Sequence, residues 1–198
     1  MIPLDFGGRN VLILGAPRSG THALASHLLS MQPFRYLGEI GRSQDSTEPW
    51  KDIEQCLVYE KIPVLAHLVQ SRSKLGMIVR TREIKSRNFV LALRRRDKVK
   101  QFASWIYFRN MGAIYNFDHA GQDYMAPGSF TVTYDDIEQF VIDQIVDDQF
   151  DPDLYLYYED TDFSQSKVQR NRYVFEPELM IQNLDLVRKH LQHWEYIK

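Results

Sequence analysis

The stretch "LGAPRSGTHALASHLL" (residues 14–29) sets two glycines, Gly15 and Gly20, with four residues between them. A glycine loop that enters a helix presents backbone N–H groups to phosphate oxygens, and the helix N-terminus adds a favourable potential. A nucleotide kinase or ATPase follows the second glycine with a lysine for the β- and γ-phosphates, then with a Ser or Thr hydroxyl for Mg²⁺. Here those two places hold Thr21 and His22, and the cation inside the loop is Arg18. Such a loop suits one terminal phosphate and a neighbouring leaving group, held without a metal.

A second cluster lies in "LALRRRDKVKQFASW" (residues 91–105), some 75 residues further on. A phosphate monoester dianion is best met by a guanidinium fork together with a hydroxyl donor. Ser104 stands eight residues after Arg96 and nine after Arg95, so either arginine can form the pair with it. Seen alone, an arginine triplet reads as a solvated turn. Placed after an apolar strand and behind a phosphate loop, it reads as a second anion site.

Both clusters need a scaffold that brings them together. "RNVLILGA" is an apolar run ending in glycine, the pattern of a buried parallel strand. "THALASHLLSM" follows at helical spacing with Leu24 and Leu28 on one face, which gives the strand, loop and helix context a phosphate loop requires. "FRYLGEI", "IPVLAHLV", "NFVLALR" and "DLYLYYED" read as further strands. "STEPWKDIEQCL" predicts a helix with Ser46 or Thr47 as cap and Pro49 in its first turn. "RDKVKQFASWIYFRN" predicts another, with Val99, Phe102 and Ile106 on one side, and an acidic helix begins near Asp135. Met180, Leu184, Val187 and Leu191 form a helical core stripe. Strands alternating with helices predict an α/β fold with an open, mostly parallel central sheet. At 198 residues, with no repeat and no Gly/Ser linker, the chain is expected to be a single domain, 1–198.

Composition narrows the classes. Hydrophobic residues at 44% and charged residues at 25% are ordinary for a globular protein in water. Cys56 is the only cysteine, which excludes an intrachain disulfide and suits a small half-buried residue. No apolar run approaches the ~18 residues of a membrane span, and "MIPLDFGGRN" lacks the order of a signal peptide. A cytoplasmic protein with no membrane partner is expected. The net charge of −2 hides an asymmetry: residues 72–109 hold twelve Lys/Arg, whereas residues 110–166 hold none against thirteen Asp/Glu. Two readings stand: solvated faces that attract each other, or a cationic wall for an anion site. A nucleic-acid groove is not expected, because the basic run lacks interleaved aromatics.

"APRSGTH" resembles the 5′-phosphosulfate loop of sulfotransferases, whose pattern is Pro-Lys/Arg-Ser-Gly-Thr-Thr/His after the first strand. The strand ending in arginine, followed by a helix bearing Ser104, resembles the 3′-phosphate signature of the same family. The wording Arg-Arg-Asp-Lys-x-x-Gln-x-x-Ser is similar to bacterial carbohydrate sulfotransferases of the trehalose 2-sulfotransferase type, and "LYLYYEDTDF" resembles the family's late strand and Tyr-Glu-Asp turn. The resemblance implies a three-layer P-loop NTPase-like fold. It implies the cofactor 3′-phosphoadenosine 5′-phosphosulfate (PAPS), the product adenosine 3′,5′-bisphosphate, and no metal. Carried over residue by residue, it puts Pro17, Arg18, Ser19, Gly20, Thr21 and His22 on the 5′ end, and Arg95 or Arg96 with Ser104 on the 3′-phosphate. Many family members are longer than this chain, so the segments that cover the acceptor are expected to be reduced.

Sulfuryl transfer is an in-line displacement with a loose, charged transition state, so a cation on the leaving oxygen matters most. Arg18 stands where the family has Lys or Arg for that role. A hydroxyl acceptor also needs a base. Glu39, in "RYLGEI", resembles the Gly-Glu of bacterial and Golgi carbohydrate sulfotransferases. His67, in "PVLAHL", resembles the base of cytosolic sulfotransferases, although the lysine of that motif falls on Leu65. Glu39 is preferred, because the signature at residues 95–104 points to the same branch. His22 is expected to touch the cofactor or pack, and His27 to be structural. The acceptor is a small molecule or carbohydrate. Trp105, Tyr107, Phe108 and Tyr115 suit either sugar stacking or core packing. The rival readings are a P-loop kinase of a nucleoside or small metabolite and a non-catalytic nucleotide-binding module.

Overall fold

Among the described residues, five short strands make the sheet: β1 (Asn10–Gly15), β2 (Arg35–Glu39), β3 (Val64–Val69), β4 (Asn88–Arg94) and β5 (Leu154–Tyr157). The computed structural model describes residues 5–39, 64–69, 85, 88–111, 129–148, 151–163 and 176–196. The four strand pairings among the described residues are parallel, in the order β2-β3-β1-β4-β5. The chain therefore leaves β1 for β2, returns through β3 beside β1, and crosses to β4 and β5 on the other side. Parallel strands put every carboxyl end on one edge, so Gly15, Glu39, Val69, Arg94 and Tyr157 share it. That edge, where the strand order reverses, is where open α/β sheets bind ligands.

The apolar runs of β1 and β4 are continuous because both faces of these strands are covered. On one face Val11, Ile13, Leu91 and Leu93 pack with Leu24, Ala25 and Leu28 of α1 (Thr21–Met31) and with Phe163. The intervening Leu12, Leu14, Val90 and Ala92 are equally buried. A second core joins α2 (Lys98–Met111), α3 (Tyr134–Asp148) and α4 (Leu184–His193) through Phe102, Ile106, Ile137, Phe140, Val187 and Leu191. Trp105 and Tyr107 are buried with α2, so of the two roles open to them the structure shows core packing. Tyr115, Cys56 and the helix expected at residues 46–57 lie outside the described residues.

Helix starts follow side-chain chemistry. Asp97 caps α2 by accepting the Lys100 amide at 2.9 Å. Thr133 and Asp136 form a reciprocal box, Thr133 Oγ1 accepting the Asp136 amide (3.2 Å) and Asp136 the Thr133 amide (2.9 Å), so α3 begins at Tyr134. The C-terminal stripe departs from a single helix. Pro177–Met180 is a 3₁₀ turn, and α4 begins only at Leu184. Asn183 breaks the run: its side chain takes the Val132 amide (3.0 Å) and donates to the Val132 carbonyl (2.9 Å). Val187 and Leu191 carry the buried stripe, and Met180 lies outside the helix.

Among the described residues, three ion pairs join the basic segment to the acidic one: Lys85–Asp151, Arg96–Asp160 and Arg109–Asp136. Attraction between the two segments is thus realised, though partly exposed pairs of this kind add little stability. Among the described residues no helix is long and apolar enough to cross a membrane.

Candidate functional site

β1 delivers the chain to the glycine loop at the carboxyl edge. The loop turns back on itself with the Ser19 amide donating to the Ala16 carbonyl at 3.1 Å. Arg18 (φ 64°) and Gly20 (φ 101°) both adopt the left-handed conformation, which costs a non-glycine residue such as Arg18 about 1–2 kcal/mol. Gly15 is needed for space: a Cβ there would lie 2.2 Å from Ser19 Oγ and 3.0 Å from the Leu93 carbonyl oxygen. Gly20 is needed for conformation and space together, because a Cβ would lie 2.5 Å from the Tyr158 ring. Ser19 is buried and its Oγ takes no hydrogen bond among the described residues. Thr21 and His22 open α1, where N–H groups lack intrahelical acceptors. A buried, unpaired hydroxyl beside those amides fits an oxyanion, which would restore the hydrogen bond lost on burial.

Helix α2 grips this loop at two successive residues. Arg18 Nε donates to Ser104 Oγ at 3.0 Å, and its guanidinium lies 4.8 Å from the centre of the Phe108 ring. Gln101 Nε2 donates to the Pro17 carbonyl at 3.0 Å. Arg18 and Ser104, placed by the sequence in separate anion clusters, are therefore in direct contact.

The arginine triplet at the end of β4 lies against the tyrosines of β5 and the turn after it. Arg94 lies over Tyr155 (4.2 Å), Arg95 over Tyr158 (4.6 Å) and Arg96 over Tyr157 (4.3 Å). These are cation–π contacts that fix the direction of each long side chain. Both terminal nitrogens of Arg96 also bind the Asp160 carboxylate. That hydrogen bonding holds the Asp160 carboxyl below its ordinary range and raises Arg96 above its own. The Arg96 and Asp97 amides donate to Glu159 at 3.1 and 3.3 Å. Arg95 Nε is buried and makes no hydrogen bond among the described residues. Of the two arginines in register with Ser104, Arg96 is thus engaged by carboxylate. Arg95 rests on the ring that closes over Gly20.

Register alone places the two candidate bases. Glu39 is the last residue of β2 and pairs with His67 in β3, which pairs in turn with Ile13 of β1. Both are therefore level with a point two residues short of Gly15, and β2 lies roughly 10 Å from β1 at normal strand spacing. His22 is exposed at the start of α1. His27 is buried edge-on to Phe163, 6.0 Å between ring centres, consistent with a packing role.

Gln101 and Tyr158 form part of the site, yet the motifs that contain them assigned neither a role. Gln101 lay in view as part of the Arg-Arg-Asp-Lys-x-x-Gln wording, but its partner is 84 positions away. In comparisons with known proteins, no family model and no curated sequence matches this chain.

Proposed function

We propose that the chain is a sulfotransferase of P-loop NTPase-like fold that acts in the cytoplasm. It moves the sulfuryl group of PAPS to a hydroxyl on a small-molecule or carbohydrate acceptor. The observation that carries this reading is the Arg18–Ser104 hydrogen bond, which joins two motifs 86 residues apart that the family resemblance places on one cofactor. The strand order and the unpaired Ser19 hydroxyl support it as well.

PAPS supplies the activated sulfuryl group; the residues of the chain bind it, orient it and move the acceptor proton. Pro17, Ser19, Gly20, Thr21 and His22 hold the 5′ end through loop amides and hydroxyls. Arg95 or Arg96 holds the 3′-phosphate with Ser104. Arg18, the cation within the loop, neutralises charge on the leaving oxygen, where fixed charge acts most strongly on the transition state. Glu39 accepts the acceptor's hydroxyl proton as the oxygen attacks in line with the leaving group, and His67 is the alternative base. Nothing in these roles requires the lysine or Mg²⁺ hydroxyl of a nucleotide kinase.

A thermal-shift comparison tests the reading, because a ligand stabilises the folded state in proportion to its selective binding. Adenosine 3′,5′-bisphosphate with a chelator present should raise the midpoint more than ATP with Mg²⁺. The opposite order would favour the kinase reading.

A further inference from the structure

We infer that Gln101 is a positioning residue for the phosphate loop, setting the direction of the loop amides from helix α2. This inference rests on the nucleotide-binding reading above. Gln101 is fully buried, and both ends of its amide are committed. Its Nε2 donates to the Pro17 carbonyl at 3.0 Å, while its Oε1 accepts from Lys98 Nζ at 3.2 Å. Lys98 Nζ also donates to Oε1 of Gln144, a buried side chain of α3, at 2.6 Å. An ammonium only donates and a peptide carbonyl only accepts, so the Gln101 amide has one orientation that satisfies both neighbours. The chain Gln144–Lys98–Gln101 therefore ties the α2–α3 core to a single carbonyl in the loop.

That carbonyl matters because of its place. The C=O of Pro17 and the N–H of Arg18 belong to one planar trans peptide, so they point in opposite directions. Holding the carbonyl toward α2 directs the Arg18 amide away from it, at the residue whose left-handed φ of 64° bends the loop. Gln101 and Ser104 are three residues apart on α2, and neighbours at that spacing share a helix face. One helix face thus fixes the peptide before Arg18 through Gln101 and receives the Arg18 side chain through Ser104.

The test is calorimetry on the 198-residue chain with adenosine 5′-phosphate, adenosine 3′-phosphate and adenosine 3′,5′-bisphosphate. Gln101→Glu keeps the size of the side chain and an acceptor for Lys98 but removes the donor to Pro17. It should weaken both ligands that carry a 5′-phosphate by about tenfold, the equivalent of one hydrogen bond, and leave adenosine 3′-phosphate unchanged. A merely structural role would lower all three affinities together. Equal loss on all three ligands, or no loss on any, overturns the inference while bisphosphate binding by the parent keeps the nucleotide reading in place. If the parent binds none of the three, both fail. Should Gln101→Glu not fold, Lys98→Met loosens the amide without altering it and must show the same 5′-selective loss in smaller measure. A loss without that selectivity overturns the inference.

Discussion

Gly20→Ala puts a methyl group where backbone conformation and space both oppose one. The residue sits at φ 101°, and its Cβ would lie 2.5 and 2.7 Å from two atoms of the Tyr158 ring. The ring has little freedom to yield: Phe163 packs against it at 4.9 Å between centres, and the Arg95 guanidinium covers it at 4.6 Å. The left-handed conformation costs alanine about 1–2 kcal/mol. Overpacking at a braced ring adds about 1–3 kcal/mol. The sum of about 2–5 kcal/mol is a large fraction of the ~5–15 kcal/mol that holds a domain folded, and for a chain of this size it lowers the thermal midpoint by about 4–20 °C. Urea unfolding of Gly20→Ala, Tyr158→Ala and the double variant separates the two contributions. Removing the ring should recover the steric part, giving a coupling of about 1–3 kcal/mol between the two positions. A Gly20→Ala protein within about 0.5 kcal/mol of the parent, the range of an inconsequential surface change, would refute the reasoning. Strict additivity in the double variant would refute the part assigned to Tyr158.

Three further outcomes follow from the site. On the proposed function, loss of the guanidinium assigned to the 3′-phosphate should weaken adenosine 3′,5′-bisphosphate by about 1.5–3 kcal/mol; calorimetry on Arg95→Ala and Arg96→Ala should place that loss on one of them, and negligible losses on both would remove the triplet from the site. Glu39→Gln should cut turnover by roughly 10²–10⁴-fold with nucleotide affinity intact, whereas His67→Asn should chiefly lower stability; the reverse pattern in paired kinetic and unfolding measurements would move the base to His67. Asp160 is held below its ordinary value near 3.8 by the hydrogen bonds from Arg96, so the pair stabilises the fold above that value and its contribution is lost as pH falls through the lower folded one. Asp160→Asn should therefore flatten acid unfolding in that window, and an acid profile identical to the parent's would contradict it.

The loop and its flanking elements were legible because their signals are local. Glycine spacing, an apolar strand and a helix start fall within residues 10–31, and the structure places β1 and α1 there. Helix α2 was legible for the same reason: Asp97 caps it, and Phe102 and Ile106 recur on one buried face. What escaped the sequence depends on register between distant segments. The stacking of three arginines on Tyr155, Tyr158 and Tyr157 needs β4 beside β5 with Arg94 opposite Tyr157. The engagement of Arg96 by Asp160 comes from the same register, and no spacing rule reveals it. The C-terminal helix was misread as continuous because apolar periodicity carries no sign that Asn183 bonds to the Val132 backbone instead. Gln101 stood in the quoted signature without a role, because the loop carbonyl it binds is 84 positions away.

The most direct measurement of the central claim is the affinity difference between adenosine 3′,5′-bisphosphate and adenosine 5′-phosphate, by calorimetry with a metal chelator present. A phosphate loop joined to a separate 3′-phosphate site predicts tight one-to-one binding of the bisphosphate, stronger than the monophosphate by about 1.5–3 kcal/mol, or roughly 10- to 150-fold. Equal affinity for the two ligands, or binding of ATP with Mg²⁺ tighter than either, would contradict it.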